Sequence, residues 1–213
     1  LKLADIGAFI RKHKMRISMH PDQFVLINSP RSQVVEAGIK DLVWHAQLLD
    51  TLGLEETAKV QIHVGGVYGD REKAMASFVE NYRKLPDFVR RRLVIENDDK
   101  CFALLDCLKI YEMVGIPLIF DNFHHQCLNH GEPLADAIKA AARTWARKDG
   151  VMMTDFYSQQ TGAVKGKHAD TIAVAIFEEF ITTTKFLDFD IMLEIKDKEN
   201  SALKALDVIK RNR

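Results

Sequence analysis

The chain has 213 residues, 47% of them hydrophobic and 28% charged, and its 30 basic side chains balance its 30 acidic ones. That length favours one globular domain with a sizeable core, and the zero net charge excludes a protein drawn to nucleic acid by its overall field, so such affinity has to come from a local patch. Cys101, Cys107 and Cys127, without C-x-x-C spacing, exclude a disulfide framework or a thiolate zinc site and fit a reducing cytoplasm, and no stretch is apolar and long enough to span a bilayer.

Taken in order, residues 3–13 read as an amphipathic helix, and 16–19 as a short strand ending at His20, where Pro21 stops it. Residues 32–52 repeat apolar side chains at helical spacing and close on Gly53. A strand over 59–64 runs into Gly65-Gly66, and a helix over 71–84 is closed by Pro86. A strand over 92–95 ends at Glu96, and a helix over 102–113 precedes Gly115. A strand over 116–120 ends at Asp121, and Pro133 opens a helix over 134–147. A strand over 151–154 ends at Asp155, a polar loop covers 157–167, and a helix follows over 170–183. The last strand, 190–193, ends at Glu194, and a helix over 201–211 closes the chain.

Strands that are short and apolar at nearly every position belong to parallel sheets covered on both faces. Their strict alternation with helices predicts an α/β fold. No G-x-G-x-x-G follows any strand, which turns the reading from an open dinucleotide-binding sheet to a TIM (β/α)8-type barrel. Six βα units are present where a closed barrel has eight. The first two units are therefore expected ahead of Leu1, with 1–213 a single barrel domain that is N-terminally incomplete.

Every strand finishes on a potential metal ligand: His20, His63, Glu96, Asp121, Asp155 and Glu194. The following loops add His124, His125 and His168. In parallel α/β folds the active site forms at the carboxyl ends of the strands. One His or Asp in such a place is usually a helix cap or a loop residue, but an unbroken series is hard to reach by independent accident. Imidazole and carboxylate without thiolate suit Zn²⁺, Mn²⁺ or Fe²⁺. Asp121 and His124, three apart in D-N-F-H, can turn to one ion from an irregular loop. So many acidic groups need cations to neutralise them, and closely spaced cations suit phosphoryl chemistry. His13, His45 and His130 read as surface or helix-packing residues.

Other features point the same way with less force. Gly65 and Gly66 permit close backbone approach to a phosphate or a tight turn. Lys165 and Lys167, between glycines beside His168, form a basic loop suited to a phosphate backbone or simply to solvent. Gln23 and Phe24 after His20 can wedge into a base stack or anchor their own loop.

The motifs S-M-H-P-D-Q-F (18–24), I-H-V-G-G (62–66), I-E-N-D-D (95–99), F-D-N-F-H-H (120–125), Tyr157-Ser158 with K-G-K-H (165–168), and M-L-E-I-K-D-K-E (192–199) together resemble the UV damage endonucleases. The resemblance implies a TIM barrel related to endonuclease IV, a cluster of two or three divalent metals (typically manganese, with zinc or magnesium as alternatives), and cleavage of double-stranded DNA immediately 5′ to ultraviolet photoproducts. It implies metal ligands at His20, His63, Glu96, Asp121, His124, His168 and Glu194, and at Asp155, a position that can be His in relatives. Glu96, Asp121 and Glu194 are the carboxylates expected to carry the chemistry. Gln23-Phe24 corresponds to a Gln-Tyr lesion probe. Gly65, Gly66, Lys165 and Lys167 are expected at the DNA. Met153 stands where some relatives have a lysine near the metals. A monomer acting in the cytoplasm, away from membranes, is expected. An abasic-site endonuclease of the endonuclease IV type, a metal-dependent sugar isomerase, and a DNA-binding remnant without chemistry are the competing readings.

Overall fold

The computed structural model describes residues 2–212. Helix α1 (Leu3–Lys12) precedes strand β1 (Ser18–Met19), and α2 (Ser32–Thr51) leads to β2 (Lys59–His63). Helices α3 (Arg71–Lys84) and α4 (Asp87–Arg90) precede β3 (Leu93–Glu96), and α5 (Leu104–Val114) leads to β4 (Leu118–Asp121). Then come α6 (Asn122–Cys127), α7 (Leu134–Ala142), a 3-10 turn at Arg147–Asp149 and β5 (Met152–Phe156). Helix α8 (Val174–Thr184), β6 (Phe189–Leu193) and α9 (Glu199–Asn212) complete the chain.

The six strands are parallel and stand in sequence order, β1 to β6. The sheet curls far enough for side chains at its two ends to meet, although β1 and β6 do not pair. The Arg16 guanidinium, just before β1, lies 2.7 Å from Asp190 of β6, and Ser18 Oγ lies 3.4 Å from Met192 Sδ. The result is a partial α/β barrel, as the strand patterning predicts. Strands β3, β4 and β5 are buried at every position, whereas the end strands β1 and β6 are only partly covered.

Alternation along the strands divides the apolar side chains between two surfaces. Val60, Ile62, Leu93, Ile95, Leu118 and Phe120 join the large core shared with the helices. Val94, Ile119 and Met153 form a separate cluster, with Trp145 and Met192 against it. Two residues further along each strand, on the same face, come Glu96, Asp121 and Asp155. The inner apolar cluster is thus the layer on which the strand-end acids sit. Met153 is one of its three buried members, 2% exposed, so it serves there as packing.

Several element ends differ from the sequence reading, each for a tertiary reason. Helix α7 stops at Ala142, not at 147. Thr144 Oγ1 accepts from Leu118 N (2.9 Å), and Trp145 Nε1 donates to Leu118 O (2.6 Å), which pulls both residues out of the helix to cover β4. Helix α8 starts at Val174, because Asp170 instead meets Lys196 Nζ at 2.6 Å and its carbonyl accepts from Asp197 N. Strand β5 runs to Phe156, so Asp155 lies inside it rather than just past its end. The D-N-F-H segment is not irregular: Asn122–Cys127 is the helix α6, with Asp121 as its N-cap. All three cysteines are free, and Cys107 is buried.

Candidate metal centre

The carboxyl ends of the strands bring the predicted residues to one rim. Parallel register sets His63 beside Glu96 and Asp121 beside Asp155. Two groups of side chains converge closely enough to hold an ion: His20, His63 and Glu96, and Glu96, Asp121 and His124, the ligand atoms of each group lying within 4.8 Å of one another. Glu96 belongs to both. One carboxylate oxygen is 3.1 Å from His124 Nδ1 and 3.5 Å from His63 Nδ1, and the other is 3.2 Å from His20 Nε2.

The local backbone explains this convergence. Asp121 Oδ1 accepts from His124 N (2.7 Å), the N-cap bond that starts α6 and turns His124 back over the strand end. His124 Nδ1 then lies 3.1 Å from Asp121 Oδ2. The amide side chain of Asn97 extends the β3–β4 ladder past its last backbone pair, donating to Asp121 O and accepting from Asp121 N, each at 3.0 Å. Its own carbonyl is 2.9 Å from His124 Nδ1.

Burial and like charge set the protonation of the rim. Burial drives the Asp121 carboxyl up to about 7, with the Glu96 charge adding to it against the pull of His124. Asp155 is pushed well above the usual carboxylate range by burial and by Glu96, Asp121 and Glu194. Glu194 is raised by burial and by Glu96. Glu96 goes the other way: burial opposes ionisation, but His63, His124 and His20 outweigh it. Burial would lower His124, yet its hydrogen bond to Glu96 and the charge of Asp121 lift it to about 9. His63 is lowered by burial.

The donor set fits divalent cations. Among the described residues, the ion-pair partners of Glu96 and Asp121 are histidines, with no lysine or arginine. Two atoms of the rim residues, His63 Nδ1 and Asp155 Oδ1, are buried without a hydrogen-bond partner. Buried orphans beside an excess of carboxylates are the condition that a cation relieves. Imidazole nitrogen with carboxylate oxygen suits manganese or zinc.

Two further residues belong to this site. Gln61, 2% exposed, donates its side-chain amide to both Glu96 and Asp155. It lies two residues before His63 in β2 and so on the same face, and that spacing is the signal that could have found it. Tyr157, 1% exposed, donates to Asp121 Oδ2 at 2.5 Å, and its hydroxyl lies 2.9 Å from His124 Nε2.

The remaining predicted residues are spread around the rim. His168 is in neither converging group. Its ring stacks on Tyr157 with centroids 3.8 Å apart. Glu194 follows β6, near enough for His20 and His124 to act on its charge. His125 faces away, toward Phe120 and Glu132. Phe24 is 73% exposed, in a turn where its N–H donates to Asp22 Oδ1 (2.9 Å), and Gln23 beside it is also exposed. Gly65 has φ +116°, and a Cβ there would come within 2.2 Å of Asn28 Oδ1. The protein's own packing and backbone therefore require Gly65, whereas a Cβ on Gly66 would meet at 2.9 Å only the ring of Tyr68, an exposed side chain. Lys167 is exposed, whereas Lys165 Nζ is tied to Cys127 O at 2.8 Å.

Comparison with known proteins gives this geometry a context. The family model described as UV-endonuclease UvdE matches residues 1–212. A UV DNA damage endonuclease of Clostridium perfringens (strain 13 / Type A) is 39% identical over 211 residues, 98% of this chain and 51% of the relative. One from Bacillus cereus (strain Q1) is 35% identical over 200 residues, 93% of this chain and 63% of the relative. The chain therefore spans about half to just under two thirds of these relatives. The crystal structure of SacUVDE superposes with a TM-score of 0.92 at 50% identity, covering 98% of this chain and 70% of that one. A D-psicose 3-epimerase, at 15% identity and a TM-score of 0.61, covers 99% of this chain and 82% of its own, and shares the fold alone.

Proposed function

The chain belongs to the UV-endonuclease UvdE family, and from that premise we propose that its rim is the metal-dependent centre of a DNA repair endonuclease. In this reading 1–213 is a single barrel domain. It acts as a monomer on double-stranded DNA and hydrolyses the backbone immediately 5′ to ultraviolet photoproducts. The observation that carries the reading is the pair of converging ligand groups that share Glu96.

His20 and His63 with Glu96 hold one cation, and Asp121 and His124 with Glu96 hold a second. Asp155, Glu194 and His168 complete the ligand set. Manganese is favoured over zinc by Asp155, which offers a hard oxygen donor at a position that can be His in relatives. When bound, the cations supply Lewis-acid polarisation of the scissile phosphate and a lowered pKa for the attacking water.

The chain's own residues prepare that chemistry. Asn97 holds Asp121 and His124 in register. Gln61 keeps Glu96 and Asp155 together despite their like charge. Tyr157 donates to Asp121 and fixes the far side of the His124 ring. Gln23 and Phe24 enter the damaged stack. Distorted DNA is cheaper to unstack than intact DNA, so selectivity comes from deformability without base reading.

The test is nicking of an end-labelled, irradiated duplex with Mn²⁺ or with EDTA, beside undamaged and abasic duplexes. A metal-dependent cut just 5′ to the photoproduct, lost in Glu96→Gln and Asp121→Asn, is expected. Cleavage that survives both substitutions overturns the mechanism. Cutting confined to the abasic duplex replaces the substrate.

A further inference from the structure

The two most exposed large apolar side chains among the described residues are Val164, 79% exposed, and Phe24, 73% exposed. Both lie on loops at the carboxyl ends of strands, the side of the barrel that carries the metal centre. Phe24 follows β1 and Val164 follows β5. Scattered apolar residues on a surface need no explanation. An apolar tip held out by a loop that is built and anchored does.

The loop around Val164 is closely tied. Gln159 pairs with His168 across its neck, and Gln160 N donates to Lys167 O at 2.8 Å. The Gln159 side chain spans the interior, donating to Val164 O (2.9 Å) and accepting from Gly166 N (3.0 Å). Gly162 and Gly166, at φ +74° and +89°, supply the left-handed turns. Lys165 Nζ anchors the side of the loop to Cys127 O at the end of α6. At the base, His168 stacks on Tyr157, which is bonded to Asp121. The tip is therefore registered to the metal centre through three side chains. Lys167, exposed beside it, offers a positive charge.

A preformed apolar tip next to an exposed cation fits nucleic acid: the apolar group meets base surface while the ammonium meets phosphate. Resting on the DNA reading above, we propose that Val164 is a second apolar contact with the duplex. With Lys167 on the backbone, it grips the substrate from a different stave than Phe24. Because its loop is already ordered, little conformational freedom is lost on binding.

The test uses the manganese-loaded protein and a labelled, irradiated duplex, followed by fluorescence anisotropy before turnover across a series of salt concentrations. Val164→Ser is expected to weaken binding about fivefold to tenfold at every salt concentration, leaving the slope of log affinity against log salt unchanged, because an apolar contact releases no counterion. Val164→Leu should bind like the parent. Lys167→Ala should reduce the slope by about one. Parental affinity in Val164→Ser overturns the inference while leaving the DNA reading intact. A loss of affinity that comes with a lowered thermal midpoint also overturns it, since Val164 would then be serving the loop's own folding. If the parent takes up Mn²⁺ but binds no irradiated duplex, the DNA reading falls and this inference falls with it.

Discussion

The two ends of the strands handle buried charge in opposite ways. At the amino-terminal floor the two buried cations among the described residues, Lys59 and Arg92, each meet an anion. Lys59 Nζ, fully buried, is 2.6 Å from Asp149 and donates to Arg91 O. Arg92 is 2.6 Å from Asp50, and at the same end the more exposed Arg16 is 2.7 Å from Asp190. At the carboxyl-terminal rim Glu96, Asp121 and Asp155 are buried together, with Glu194 close by and histidines as the partners. The buried cations of the floor have carboxylate partners within the fold, whereas Glu96 and Asp121 at the rim have only histidines as ion-pair partners among the described residues. Charge that the fold needs is balanced within the fold, and charge left in excess marks where something else must bind.

The contrast is broken most directly at the floor. Asp149→Ala strands the Lys59 ammonium and should cost about 3–5 kcal/mol in a urea titration, whereas Lys59→Met combined with Asp149→Leu should recover most of that. A cost under about 1 kcal/mol for the single change would show that the floor pair is not structural. At the rim the expected gain comes from outside. Mn²⁺ at a hundredfold excess over its dissociation constant should raise stability by about 2.7 kcal/mol. Glu96→Gln should lose that gain, because Glu96 belongs to both converging groups. A parent whose thermal midpoint ignores Mn²⁺ would remove the metal from the site.

A third effect, of the same order or smaller, is in pH. His124 is raised to about 9 from 6.5, so the folded state keeps its proton longer than the unfolded chain does. The stability that follows is fully present below pH 6.5 and is lost as pH rises through 9. Asp121, raised to about 7 from 3.8, has the same sign at lower pH. The metal-free protein should therefore lose roughly 1–3 kcal/mol between pH 6.5 and 9. Mn²⁺, which needs a neutral imidazole, should flatten that slope. Stability that is constant or rising over this interval in EDTA would contradict the charge assignment at His124.

The strand ends were legible because apolar runs such as L-V-I and L-I-F stop on an ionisable residue, and that boundary survives folding at Glu96 and Asp121. Helices α4 and α6 were not legible. Asp87–Arg90 and Asn122–Cys127 are too short to show a period, and the second exists through the Asp121 cap. Gln61 and Tyr157 escaped for different reasons. Gln61 could have been placed by its spacing from His63. Nothing near Tyr157 in sequence says that its hydroxyl reaches back to β4. His168 was grouped with the metals through its motif, and its contact with Tyr157 is a relation between loops that no local pattern encodes.

The Arg16–Asp190 pair at the floor has a geometric effect at the mouth. His20 lies four residues beyond Arg16 across β1, and Glu194 lies four beyond Asp190 along β6. A clasp that fixes the circumference at one end of a curled sheet also fixes how far apart those two side chains stand at the other, about 13 Å along the strands. An ion pair that never touches the site thus lies on the same two staves as His20 and Glu194, and loosening it should be felt first as slack between those two side chains.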